Sequence, residues 1–258
     1  MCFLFSCRSA PVRSEPTRAD GPGRVAYEAS AEASREERRE YVVLLHGLAR
    51  TNRSMEKLRR ELNDAGYTTC NVPYPSTDAT IEVLATTHVL PAIEACVPEA
   101  DAVLHFVTHS MGGLVLRQLV GSGELSRVGR VVMLGPPNGG SEVADKLQRT
   151  WIYRWINGPA GAQLGTGADD LPRKLGPAAF ELGVIAGTRS VNPILSSMIP
   201  GPDDGKVSVA NAKLAGMRDF VALPTTHPFM MRNGQVIAEV LHFLEHGRFS
   251  GSDNPSLP

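Results

Sequence analysis

The sequence predicts an α/β fold: one mostly parallel sheet of about six strands with helices on both faces. Three observations carry that reading. From Tyr41 to His246, short apolar runs alternate with stretches of helical periodicity, and glycines punctuate the boundaries. Several of the runs are apolar at consecutive positions, as strands buried on both faces of a parallel sheet must be. Finally, 258 residues with 42% hydrophobic content can bury one substantial core.

The first strand is "YVVLLHG", an unbroken apolar run stopped by Gly47. "SMEKLRRELNDAG" follows, with Met55, Leu58 and Leu62 at helical spacing and Gly66 where a C-terminal cap belongs. The alternation then repeats through strand "YTTCNV", helix "ATIEVLATTHVLPAIEAC", strand "AVLHFVTH", helix "GGLVLRQLV" and strand "RVVMLG". "FELGVIAG" and "DFVAL" read as the last two strands. "QVIAEVLHFLEH" is the closing helix, with Val236, Val240, Leu241 and Leu244 on its apolar side.

Between Gly139 and Phe180 the pattern breaks, and an irregular insertion of this length in a compact domain reads as a lid or cap over a site. Both tryptophans, Trp151 and Trp155, fall within it beside Ile152 and Ile156. On one helical face they would cover an apolar pocket, or else anchor the insertion to the core. The expected organisation is therefore an arm over 1–40, poorly ordered because it lacks apolar periodicity, a domain over 41–249 with a cap over about 140–179, and a tail over 250–258.

Composition excludes some partners. With 26 Lys and Arg against 27 Asp and Glu, the net charge of −1 gives no pull towards nucleic acid or an anionic membrane. No stretch reads as a transmembrane helix. The four cysteines show no CxxC spacing, and Cys70 and Cys96 read as buried free thiols rather than a disulfide. "LFSC" loosely matches a bacterial lipid-attachment box with Cys7 as the modified residue, although no charged leader precedes it. The expected location is the bacterial cytoplasm, with envelope anchoring through Cys7 as the alternative.

The chemistry centres on Thr108-His109-Ser110-Met111-Gly112, a strand, sharp turn and helix with serine at the turn. This is the pattern of a nucleophile elbow, G-x-S-x-G, with Thr108 in place of the first glycine. A serine hydroxyl needs a base, and the base needs a carboxylate to fix its tautomer. On this kind of sheet the acid and then the base follow the serine in the chain. Of the histidines after Ser110, His242 and His246 belong to the closing helix, whereas His227 in "LPTTHPFM" follows the last strand. The acid should lie between the last two strands, where "PGPDDGKVSV" offers Asp204, with Asp203 as the alternative; Asp219 is a strand-boundary residue. Backbone amides of Leu48, in "HGLAR" after the first strand, and of Met111 are the expected oxyanion donors, with His46 and Gly47 shaping the loop.

Taken together, "VVLLHGLARTNRSM", "LHFVTHSMGGLVLR", "VVMLGPPNGGSEVADKL", "DDGKVSV" and "THPFMMRN" resemble the bacterial α/β-hydrolase lipases and esterases over about Tyr41 to Phe249. The resemblance implies an α/β-hydrolase fold and hydrolysis of small-molecule or lipid carboxylic esters, without metal or organic cofactor. It carries Ser110, Asp204 and His227 over as the triad and Leu48 and Met111 as oxyanion donors, and gives Asn138 no chemical role. Lacking a strongly apolar lid in the sequence, short or medium acyl esters are the expectation. Transfer to another acceptor, thioester or amide cleavage, and a catalytically silent scaffold are the competing readings; oligomeric state stays open.

Overall fold

The computed structural model describes residues 39–253. The expected arm, the reading of Cys7 and the end of the tail lie outside these residues. Six strands form: β1 (Glu40–Leu45), β2 (Thr68–Val72), β3 (Val103–His109), β4 (Val128–Leu134), β5 (Leu182–Gly187) and β6 (Asp219–Leu223). They make one sheet in the order β2-β1-β3-β4-β5-β6, with every pairing parallel. The chain runs outwards from β1 on one side and from β3 on the other. Loops leaving the C-terminal ends of these neighbours therefore diverge, and a crevice opens between them.

Alternation within each strand feeds two cores. Val42 and Leu44 of β1 pack on one face with Val107, Val132 and Ile185, under α1 (Glu56–Asp64) and its preceding turn. Val43 and Leu45 pack on the other face with Phe106, Val131 and Val184. That second face is covered by a helix running from α2 (Ile81–Val83) through a π-helical turn (Leu84–Val89) into α3 (Leu90–Cys96), and by α4 (Gly112–Gly121). Met55, Leu58 and Leu62 are fully buried, as their spacing requires.

Cys70 and Cys96 are not free thiols: they form a disulfide, with Cα atoms 6.1 Å apart. Cys70 is buried in β2, but Cys96 sits exposed at the end of α3, which crosses this outer strand. The bridge closes a chain separation of 26 residues, worth on the order of 3 kcal/mol by restricting the unfolded chain.

The stretch between β4 and β5 is more regular than its sequence suggests. It folds into α5 (Glu142–Leu147), α6 (Trp151–Gly161, bent at Gly158-Pro159) and α7 (Leu171–Lys174). Hydroxyls start the first two: Ser141 accepts from the Ala144 amide and Thr150 from the Tyr153 amide. Arg117 of α4 ties this stretch to the core. Its buried guanidinium donates to Asn138 Oδ1 at 3.1 Å and to the carbonyls of Pro172 and Gly176 at 2.8 and 2.7 Å, and burial lowers its pKa to about 10. Asn138 in turn donates to the Ala212 carbonyl at 2.9 Å, so its amide is a structural bridge.

Two short helices, α8 (Pro193–Ser196) and α9 (Val209–Ala212), lie within the connection between β5 and β6, and α10 (Gly234–His246) closes the fold. The buried side of α10 is Val236, Ile237, Val240, Phe243 and Leu244. Leu241 is only partly buried, because the stripe facing the sheet is centred nearer Val240 than its sequence neighbours suggest. Among the described residues, no helix is long and apolar enough to cross a membrane.

Candidate active site

β3 ends at His109 and α4 begins at Gly112, so the chain must reverse within two residues. Ser110 makes that turn with φ of +53°, a conformation that costs a non-glycine residue about 1–3 kcal/mol. Packing holds it there. The Ser110 amide donates to the Leu134 carbonyl at 2.8 Å, and the Gly113 amide donates to the Ser110 carbonyl at 3.0 Å. A Cβ on Gly112 would lie 2.6 Å from the Leu45 carbonyl oxygen, so α4 can start this close to β1 only with glycine. Gly113 makes room for Thr108, since a Cβ there would meet Thr108 Oγ1 at 3.3 Å. The glycine missing from position 108 is thus compensated one turn later.

Ser110 Oγ lies 3.0 Å from His227 Nε2, and His227 Nδ1 lies 2.7 Å from Asp204 Oδ2. The remaining oxygen of Asp204 accepts from the amides of Lys206 and Val207 at 3.0 and 2.9 Å, while the His227 amide donates to the Asp204 carbonyl at 2.9 Å. Both oxygens of the carboxylate are therefore engaged, one by two backbone amides and the other by the histidine. Asp203 is used otherwise, accepting from Ser196 Oγ at 2.6 Å and from the Gly205 amide at 2.7 Å. Of the two neighbouring acids, only Asp204 faces the histidine. All three side chains of the row are buried, Ser110 being 9% exposed, His227 3% and Asp204 1%.

Met111 follows the serine directly in the elbow, and the β1 loop that carries Leu48 packs beside it. A Cβ on Gly47 would lie 3.0 Å from Ser110 Cβ, which places the β1 loop directly against the elbow. Neither the Leu48 nor the Met111 amide donates a hydrogen bond to another group among the described residues. Beneath that loop, the His46 ring stacks on Tyr74 with centroids 4.0 Å apart, and the Tyr74 hydroxyl donates to the His46 carbonyl. Burial holds the His46 imidazole below its usual pKa and raises the Tyr74 phenol, so this pair stays neutral.

Two neighbours of the row escaped the sequence reading. His109 is buried, its Nε2 donates to the His227 carbonyl at 3.0 Å, and the two rings are tilted with centroids 4.9 Å apart. Burial drives the His109 pKa well below the ordinary histidine value, with the neighbouring His227 adding to the effect. Gly135, with φ of +53°, ends β4 under the acid and base: a Cβ there would come 2.8 Å from Asp204 Oδ2 and 3.2 Å from His227 Nδ1. Its signal was the glycine closing "VVMLG"; His109 gave none beyond its place in the elbow.

Two cavities are lined by chain neighbours of this row, Pro228 in one and Lys206 in the other, although none of Ser110, His227 and Asp204 itself lines either. One of about 480 Å³ is apolar, walled by Val143, Leu147, Ile152, Tyr153, Ile156 and Leu195, with Lys206 at its edge. The other, about 720 Å³, lies between the β1 loop and the residues following His227. Trp151 and Trp155 line neither: they are 74% and 80% exposed, and they neither cover a pocket nor anchor to the core as expected. The reason is rotational. On α6 it is Ile152, Tyr153 and Ile156 that turn inwards, leaving both indoles on the outer side. Among the described residues, no group of three or more His, Cys, Asp or Glu side chains could hold a metal ion.

No protein-family model matches the chain, and no curated protein is significantly similar to it. Solved structures are similar in fold. The mature Bacillus licheniformis lipase BlEst2 is 19% identical, with a TM-score of 0.59 over 82% of this chain and 93% of that one. Aspergillus fumigatus lipase B is 16% identical, with a TM-score of 0.58 over 81% of this chain; the chain spans only 53% of its length. Tomato methylketone synthase I, complexed with 2-tridecanone, is 12% identical, with a TM-score of 0.54 over 80% of this chain and 98% of that one. Six parallel strands in this order, with a serine elbow at the switch point and lipases among the structural neighbours, identify the architecture as the α/β-hydrolase fold.

Proposed function

We propose that the chain is a serine hydrolase of carboxylic esters, with Ser110 as nucleophile, His227 as general base and acid, and Asp204 as the group that orients the histidine. The observation that carries this reading is the row of short contacts from Ser110 Oγ to His227 Nε2 at 3.0 Å and from His227 Nδ1 to Asp204 Oδ2 at 2.7 Å. With Nδ1–H donated to the carboxylate, Nε2 is left as the acceptor facing the hydroxyl. The serine proton moves to Nε2 as Oγ attacks the ester carbonyl. The tetrahedral oxyanion is held by the unengaged amides of Leu48 and Met111, each such donor typically contributing ~3–4 kcal/mol to the transition state. His227 then protonates the departing alcohol, and water, activated by the same nitrogen, releases the acid from the acyl-serine.

The stretch over 140–179 serves as a cap in this reading, since α5 and α6 supply most of the wall of the apolar cavity. That cavity is where an acyl chain of short or medium length would rest. The Cys70–Cys96 bridge favours an oxidising compartment over the cytoplasm.

Hydrolysis of p-nitrophenyl esters from C2 to C12 by the wild type and by Ser110→Ala tests the reading. The expected result is activity that falls by at least about 10⁴-fold in the variant, with a fluorophosphonate probe labelling the wild type at Ser110 only. Equal inactivity of both proteins, with no labelling, would leave a silent scaffold as the better account. Labelling without ester hydrolysis would point to another acyl acceptor or to thioester or amide substrates.

A further inference from the structure

The larger of the two cavities carries charge of one sign. It is lined by Arg50, Arg53 and Arg232, and by no aspartate or glutamate. None of these three guanidinium groups has a hydrogen-bond or carboxylate partner among the described residues, whereas Arg39, Arg59, Arg130 and Arg218 all pair with glutamates. The chain as a whole carries a net charge of −1, so this is a local accumulation. Uncompensated cations gathered around a concave site raise the local potential and are relieved by an incoming anion.

The position of the cavity ties it to the proposed chemistry. Arg50 lies two residues after Leu48, Phe229 lies two residues after His227, and both border the cavity. Burial first, then the charges of His227, Arg50 and Lys206, disfavour protonation of His109, so Arg50 stands within electrostatic reach of the ring packed against the base. Ile156 of α6 borders both this cavity and the apolar one. The two cavities thus meet at Ile156, and a single ester bound at that seam would place an apolar chain in one and a charged end in the other.

We infer that this cavity binds an oxyanion carried on the alcohol side of the ester, a carboxylate or a phosphate, with Arg50 as its first partner and Arg53 and Arg232 around it. The inference deepens the ester-hydrolase reading and rests on it for the word substrate; the binding site itself does not. Planar guanidinium groups suit both oxyanions, since each offers paired donors to two oxygens.

Two matched substrate pairs test it. 2-Nitrophenyl butyrate is compared with 3-butanoyloxy-4-nitrobenzoate, and 1-octanoylglycerol with 1-octanoylglycerol 3-phosphate, each rate normalised to alkaline hydrolysis. The wild type should favour the anionic member of at least one pair about tenfold or more in kcat/KM, and Arg50→Gln should bring that ratio close to one, chiefly through KM. A preference confined to the phosphate pair, or to the carboxylate pair, identifies the oxyanion. No preference in the wild type, or an Arg50→Gln variant in which both members fall equally, overturns the inference. Calorimetric titration of Ser110→Ala with glycerol 3-phosphate and with 3-hydroxy-4-nitrobenzoate separates this from the hydrolase reading. Binding that weakens about tenfold in Ser110→Ala/Arg50→Gln upholds the cavity even if no ester is turned over. No binding, alongside normal hydrolysis of neutral esters, removes the cavity and leaves the hydrolase.

Discussion

The floor of the site and the helix above it are built on opposite terms. On the floor, Ser110, His227 and Asp204 are all nearly excluded from solvent and locked by backbone hydrogen bonds. On α6, Trp151 and Trp155 are 74% and 80% exposed, and Ile152 and Ile156 about half exposed. Reactive geometry at the floor is over-determined by strand ends, whereas α6 is attached through a few inward side chains and a bend at Gly158. The lesson is that positional precision and apolar coverage are supplied by separate parts of one chain. Substitutions should divide accordingly, the floor affecting turnover and the helix affecting which esters are accepted.

The sharpest test of this division is Asp204→Asn against Trp155→Ala. An amide at 204 keeps the shape of the loop but no longer fixes the His227 tautomer. Turnover of a soluble short-chain ester should fall by about 10⁴-fold while the melting temperature moves little. Trp155→Ala, removing an exposed ring, should change kcat/KM on the same ester by no more than about twofold. If the two variants lost activity equally, the floor and the helix would have to be treated as one unit.

A smaller effect refines the boundary of the floor. Gly135→Ala adds one methyl group 2.8 Å from Asp204 Oδ2, at a residue with φ of +53°. The carboxylate must shift, and a displacement of this order should cost about a hundredfold in kcat with a much smaller change in KM. Single-turnover kinetics with a chromogenic ester would read it. Unchanged kcat would mean that the acid and base can move together without losing register with Ser110.

What the sequence disclosed follows the same division. The inner strands were legible because a parallel strand buried on both faces leaves an unbroken apolar run, as Val42 to Leu45 do, while the edge strands β2 and β6 are only partly buried and were placed by the alternation with helices. The candidates Ser110 and His227 were nameable because each follows closely on a strand, where chain order limits the choices, whereas the stretch between β5 and β6 offered both Asp203 and Asp204. Asp203 could be set aside only in three dimensions, once Ser196 and the Gly205 amide were seen to occupy its oxygens. The disulfide was hidden for a related reason. Cys70 and Cys96 lie on different elements, separated by 26 residues, and only the crossing of α3 over β2 brings them together. The tryptophans misled because a spacing of four residues says that two side chains share a helical face, not which way that face looks.

The weakest expected effect concerns His109, which lies within the floor without a proposed step in the chemistry. Its ring is buried with Nδ1 unpaired, and its pKa lies well below the ordinary histidine value of 6.5, burial being the main cause. The unfolded chain therefore takes up a proton as pH falls through 6.5 while the folded chain does not. Stability from this group is complete above that pH and is lost below it, by up to ~1.4 kcal/mol per pH unit, until the folded ring also protonates. His46 and His105 are shifted in the same direction and add to the slope. Urea midpoints measured from pH 7.5 to 5.0 should fall in the wild type and fall less steeply in His109→Gln, whose side-chain amide can still donate to the His227 carbonyl. Parallel slopes for the two proteins would mean that His109 protonates in place, and that the floor is wetter at this point than its packing implies.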